Sequence, residues 1–238
     1  MFLAKWTADG VPVWSKQWGT NDQQDEANSV AVDGNGDVFV TGWTNGSLDD
    51  NTNAGVADIF LTKWSSNGTK AWTEQWGTDG YDWGEGVVVD NMENIFVTGY
   101  TNGSLDGNNK TGGNDLFLTK WKSSGTKAWT RQWGSSSPDY GKSVATDDEG
   151  NIFVTGYTEG SFEGNTIAGY HDPFLTKWNA DGTKAWTKQW GSSNSDYGNS
   201  VIVDNGGNIF VAGYTMDALD GNTNAGEADI FLTKWLAE

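Results

Sequence analysis

Apolar and polar residues alternate in short runs along this chain, and glycine-rich punctuation cuts the runs every ~10 residues, the spacing of all-β folds. No stretch holds the i, i+3, i+4 spacing of an amphipathic helix. One unit of the pattern shows the predicted elements. FLTKW (60–64) is a run of β-formers, and SSNGT (65–69) is a turn with glycine where left-handed backbone is needed. KAWTEQWG (70–77) is a second strand, with Trp72 and Trp76 bracketing Glu74 on one face. EGVVVD (85–90) is a third strand, NMEN (91–94) a tight hairpin connection, and IFVTGYT (95–101) a fourth. NGSLDGNNKTGGND (102–115) is a long polar loop into the next FLTKW. The runs VVV and IFV are apolar throughout, as in strands covered on both faces.

The unit recurs. Gln-Trp-Gly places tryptophans at Trp18, Trp76, Trp133 and Trp190, and the Phe-Val-x-Gly phrase lies within 37–44, 94–101, 151–158 and 208–215. Phe-Leu-x-Lys-Trp occurs once more than the rest, at 2–6, 60–64, 117–121, 174–178 and 231–235. Four short strands joined by hairpins make one antiparallel sheet that cannot cover both of its faces, so neighbouring copies must stack. Radial stacking gives an all-β propeller of four-stranded blades, expected as one domain over 1–238. Its repeats start near 2, 60, 117 and 174, with a closing strand at 231–235. The recurring tryptophans are expected to fill the space between blades.

The phrases FLTKW, NGTKAWT, QWG, GNIFVTGYT and GSLDGNTNAG resemble the SBBP-type bacterial β-propeller repeat over essentially the whole chain. The resemblance implies a propeller fold and an extracellular or cell-surface setting, and it carries no defined catalytic residues. By analogy with related propeller repeats, SVAVD is the innermost strand, NIFVTGYT the second, FLTKW the third and TKAWTKQWG the outermost. The chain then begins on strands three and four and ends on strands one to three. VPVWSKQW (11–18) is expected to supply the outer strand to the C-terminal blade and close a four-bladed ring, or a larger ring made by two chains, since both leave the same strand count. Strand 231–235 then takes the blade position. The redundant 2–6 is displaced, paired at an edge, or given to a neighbouring molecule, which makes a homo-oligomer through that strand a candidate assembly.

Composition narrows the partners. The net charge of −18 argues against nucleic acid and anionic membrane, both of which reward clustered Lys and Arg. There is no cysteine, so no disulfide or thiol chemistry, and no apolar run approaches a membrane span. No basic-then-apolar leader follows Met1. The single histidine, His171, lies in a loop with no Ser or Cys partner signature near it, and no non-repeated acid–base set stands out. A non-enzyme is therefore expected, with a carboxylate-based hydrolase the third choice.

Three candidate chemistries remain. Three aspartates recur in every copy, at 25/82/139/196, 33/90/147/204 and 58/115/172/229, and the first two sets are expected to cap turns. The long loop reads D-x-N-x-N-x-G-x-x-D in two copies: Asp49, Asn51, Asn53, Asp58 and Asp220, Asn222, Asn224, Asp229. Alternating oxygen side chains of this kind suit Ca²⁺, although the spacing is not that of an EF-hand. Aromatics recur at the end of the second strand (Trp43, Tyr100, Tyr157, Tyr214) and at the entry to the first (Trp83, Tyr140, Tyr197). Beside Asp and Asn they suit carbohydrate, with multivalency raising modest affinities, or they pack between blades. The functions carried forward are a lectin-like binding or display module, a self-assembling scaffold for protein partners, and the hydrolase.

Overall fold

The computed structural model describes residues 1–236, which form 17 β-strands and one turn of 3-10 helix at 105–107. β1 (Phe2–Trp6) pairs with β2 (Pro12–Gln17). Three complete four-stranded antiparallel sheets follow. The first is β3 (Asp25–Val32), β4 (Val38–Thr44), β5 (Asp58–Trp64) and β6 (Lys70–Trp76). The second is β7 (Asp82–Val89), β8 (Asn94–Thr101), β9 (Asp115–Lys122) and β10 (Lys127–Trp133). The third is β11 (Asp139–Thr146), β12 (Ile152–Thr158), β13 (Asp172–Trp178) and β14 (Lys184–Gln189). The last sheet has three strands, β15 (Asp196–Val203), β16 (Asn208–Thr215) and β17 (Asp229–Leu236). Within each sheet the strands pair in chain order, as expected from the repeat.

The first strands β3, β7, β11 and β15 touch in succession, whereas the fourth strands splay apart, so the sheets fan out as propeller blades. Four apolar clusters fill the junctions. In one, Ile59 and Leu61 of one blade meet Val87, Phe117 and Trp121 of the next. Each first strand carries a β-bulge at Asn28, Glu85, Lys142 or Asn199, which adds twist and turns that side chain.

Closure differs from the expectation. Strand 12–17 pairs with β1, not with the C-terminal strands, so of the fates expected for 2–6 the structure shows edge pairing, in a two-stranded sheet without first and second strands. The five-residue turn between β1 and β2 makes this the pairing with the least loop-closure entropy. The first and last blade faces therefore stand in solvent, and the described chain is an open arc.

The glycine of Phe-Val-x-Gly is dictated by sterics. A Cβ on Gly156 would lie 1.8 Å from the Tyr140 carbonyl oxygen, and one on Gly99 equally close to that of Trp83. Gly156→Ala should lower unfolding free energy by roughly 3 kcal/mol or more, because backbone must move. Gly164→Ala, in open space at φ +74, should lower it by only about 1 kcal/mol. Guanidinium unfolding of both variants checks this; equal losses would contradict it.

Candidate functional site

The seven aromatics predicted for ligand binding form one continuous seam. Trp43 stacks on Trp83 of the next blade at 5.0 Å, and Trp83 meets its cross-strand partner Tyr100 at 5.5 Å. Tyr100 reaches Tyr140 at 5.0 Å, Tyr140 stacks on Tyr157 at 4.8 Å, Tyr157 reaches Tyr197 at 4.8 Å, and Tyr197 stacks on Tyr214 at 4.6 Å. The seam alternates a pair within a sheet and a pair across a junction, with ring geometries typical of attractive aromatic contacts. His171 stacks on Tyr197 and shares a hydrogen bond with Ser195, so it belongs to the seam rather than to a free loop. The faces of these rings are used against one another, which is the packing role weighed above. Burial pushes the Tyr100 and Tyr157 hydroxyls far above the usual tyrosine range, with nearby Glu85 and tyrosines adding to it. They stay protonated at any physiological pH.

At the bulges, Glu85 and Lys142 form a 2.9 Å ion pair across a junction. The Lys142 ammonium also lies 5.7 Å from the Tyr100 ring, a cation–π distance. Burial raises the Glu85 carboxyl despite that lysine.

The loop residues predicted for calcium are placed otherwise. Asp49 takes an ion pair from Lys70 and a 2.6 Å hydrogen bond from Thr73. Asn51 donates to the Leu48 and Thr73 carbonyls, and Asn53 to the Asn45 carbonyl. Asp58 accepts the Ala54 N–H and the Gln75 carboxamide. In the last repeat Asn222 donates to the Leu219 carbonyl, Asn224 accepts the Gly226 N–H, and Asp229 accepts the Ala225 N–H, while Asp220 is exposed. These side chains are bonded to the loop's own backbone and to the fourth-strand residues Lys70, Thr73 and Gln75. Among the described residues no group of three or more His, Asp or Glu side chains is arranged to hold a metal ion.

The recurrent aspartates divide by role. Asp33, Asp90, Asp147 and Asp204 each accept two backbone N–H groups of the following hairpin at 2.8–3.0 Å. Asp25, Asp82 and Asp139 tie the entry loop to a second-strand threonine, Thr44, Thr101 or Thr158. The third set, Asp58, Asp115 and Asp172, faces the first set of the next blade across Gly77, Gly134 and Gly191. A Cβ on Gly77 would sit 2.4 Å from Asp58 Oδ1 and 2.8 Å from Asp82 Oδ2. This explains the glycine of Gln-Trp-Gly. Burial is the main reason three of them titrate high, Asp139 pushed up to about 6 and Asp82 and Asp172 raised. Like charge adds to it, from Asp115, Asp58 and Asp196 respectively.

The sequence reading did not single out the glutamine of Gln-Trp-Gly, which clamps the long loop to the fourth strand. The Gln132 carboxamide donates to the Gly103 carbonyl and Asp115 carboxylate at 2.9 Å and accepts the Leu105 N–H at 2.8 Å. Gln75 and Gln189 repeat all three bonds. The signal was its recurrence at one fixed place. Between the second and third complete blades the sequence departs from this plan: Phe162 and Glu163 stand where Leu105 and Asp106 stand in the preceding repeat. The Lys184–Glu163 contact is 3.4 Å, against 2.8 Å for Lys127–Asp106. A cleft of about 750 Å³ opens there, bounded by Trp133, Trp178, Trp186, Asn109 and Glu163.

Two expectations follow. Gln132→Ala should lose roughly 2–3 kcal/mol of stability, because three buried partners lose a bond, while Gln17→Ala, exposed, should lose little. Chemical unfolding of the pair tests this. For pH, the sign follows from raised carboxyls: the folded state holds the Asp139 proton to about 6, the unfolded chain only to its ordinary 3.8. Stability is then greatest in mild acid and falls as pH rises from about 4 to 6, by about 2–3 kcal/mol for this residue. Guanidinium midpoints at pH 4 and 7.5 should show the drop, and Asp139→Asn should reduce it.

Comparison with known proteins agrees with this architecture. The chain is 25% identical over 180 residues to an uncharacterized WD repeat-containing protein of Acanthamoeba polyphaga mimivirus, covering 68% of this chain and 11% of that protein. Among solved structures it is similar to a protein of unknown function from Bacteroides caccae, with a TM-score of 0.52 and 10% identity over 89% of this chain and 64% of that one. A luciferin-regenerating enzyme also aligns, with a TM-score of 0.48 and 14% identity over 97% of this chain and 70% of that one. The model of the SBBP beta-propeller repeat matches residues 13–49, 71–106, 128–163 and 185–216, one match for each copy of the Gln-Trp-Gly to Gly-Ser phrase, and the chain belongs to that family.

Proposed function

We infer that this chain is a non-catalytic binding scaffold, a propeller arc whose loops and junctions present repeated sites to a partner. The supporting observation is where its polar chemistry goes. The buried carboxylates cap loops, the tyrosines stack on one another, and Gln75, Gln132 and Gln189 clamp the loops to the blades. Catalysis would need such groups aimed at a bound molecule.

Carbohydrate is the ligand class that the cleft between the second and third complete blades favours. There, tryptophan sits beside an amide and a carboxylate, Asn109 and Glu163, the combination that stacks on sugar rings and bonds their hydroxyls. A folded sample on a glycan array should retain neutral or basic glycans intact, with Trp186→Ala lowering retention at least roughly tenfold. Product formation that vanishes in Glu163→Gln would replace the scaffold by an enzyme. Silence across the array would leave display to protein partners as the scaffold's role.

A further inference from the structure

The edge of β17 away from β16 is open, and beside it runs a groove of about 620 Å³ walled by the 217–224 loop. In the three complete blades the fourth strand, β6, β10 or β14, occupies this place and its glutamine clamps the loop. The last blade keeps the matching partners of such a glutamine: the Leu219 N–H, the Asp217 carbonyl and the Asp229 carboxylate all line or border the groove.

The adjoining faces are bare. Ile230 and Leu232 are 91% and 69% exposed, while their counterparts Ile59, Leu61, Leu116 and Leu118 are 0% exposed. At the other end of the arc Val30 and Val32 are 56% and 59% exposed, while Val87 and Val144 are 7%. In an internal junction residues of these two kinds share one cluster, as Ile59 and Leu61 do with Val87. The two ends of the arc are the two halves of one junction.

A donor strand is present as well. β2 carries Trp14, Ser15 and Gln17 where β6 carries Trp72, Thr73 and Gln75, and Gln17 faces solvent. Its present partner β1 has the same F-L-x-K-W frame as β17 and belongs to a two-stranded sheet that lacks the first and second strands of a complete blade. We propose that β2 of a second copy of this chain enters the groove on β17 and displaces its own β1, joining copies head to tail. The exchange keeps a ladder of equal length. It seats Leu232 where Leu3 now packs against the cluster of Val38, Val40 and Trp64. It brings Ile202, exposed in the arc, against Val30 and Val32. The one mismatch is that Tyr214 meets Glu26 instead of an aromatic ring, ending the seam there. A heterologous contact of this kind closes a ring or extends a filament. It uses surfaces separate from the carbohydrate cleft, so each can fail alone.

The absence of cysteine allows a clean test. The matching hydroxyls Thr62/Thr73, Thr119/Thr130 and Thr176/Thr187 lie 3.0–3.2 Å apart, close enough for a disulfide at that site. The full chain carrying Ser15→Cys and Thr233→Cys should give covalent dimers and larger species on oxidation. A synthetic KAWTKQW peptide or added Leu232→Asp should reduce them to background. Light scattering of the unmodified chain should show mass rising with concentration. A disulfide within one chain would mean that the arc closes on itself and would overturn the proposal. So would an uncross-linked monomer, when the control Ala4→Cys with Ser15→Cys cross-links fully within one chain.

Discussion

Each blade is a small sheet with two apolar faces, and the contact that covers them is a pair of tryptophans. The fourth-strand indole of one blade leans on the third-strand indole of the next: Trp18 on Trp64, Trp76 on Trp121, Trp133 on Trp178 and Trp190 on Trp235. The centroids are 4.8–5.1 Å apart at all four junctions. Seven of these eight indoles leave a buried N–H without an acceptor among the described residues. In the second complete blade Lys127 supports the pair next to it, its ammonium 5.5 Å from Trp76 and 5.3 Å from Trp121 while it bonds Asp106.

The polar residues follow from that spacing. Blades this close leave no room beside Gln-Trp-Gly for a side chain, hence the glycine, and they force the aspartates of successive blades together. Those carboxylates survive burial because each accepts loop N–H groups, and the neighbouring glutamine supplies one more donor. Removing one such partner strands the others, so the repeat conserves them as a set within this chain. Raised carboxyls here arise from architecture: burial between blades, with like charge from the next blade adding to it.

Most of the fold was legible in the repeat. The strand order within blades, the hairpins and the Asx turns at Asp33, Asp90, Asp147 and Asp204 all stand where local patterning put them. The partner of strand 12–17 was not legible, because residues 2–6 and 231–235 share one F-L-x-K-W frame, differing only at Ala4 and Thr233, and patterning cannot choose between strands so alike. Chain proximity chose β1. The seven aromatics were legible as positions but not as a seam, since a one-dimensional pattern does not say which ring faces which. The carboxylates and amides of the long loop looked like metal ligands for the same reason: oxygen spacing is visible in sequence, whereas the backbone and fourth-strand side chains that bond these residues are not. The cleft lined by Phe162 and Glu163 was not legible, because their standing where Leu105 and Asp106 stand in the preceding repeat is too small a change to read as a site.

The charge balance gains a meaning from this arrangement. The chain has 14 Lys and Arg against 32 Asp and Glu, and several of the cations are held within the blades. Lys70 and Lys127 are bound to loop aspartates, Lys142 to Glu85, and Arg131 lies over the Trp129 ring. The carboxylates that remain give the surface a net negative field. Two arcs approaching at random repel, which guards the open strand edges against indiscriminate pairing. Only a contact that buries apolar faces in the correct register overcomes that repulsion. At the two ends of the arc the side chains of an internal junction lie uncovered, and it is on them that the proposed contact between copies rests.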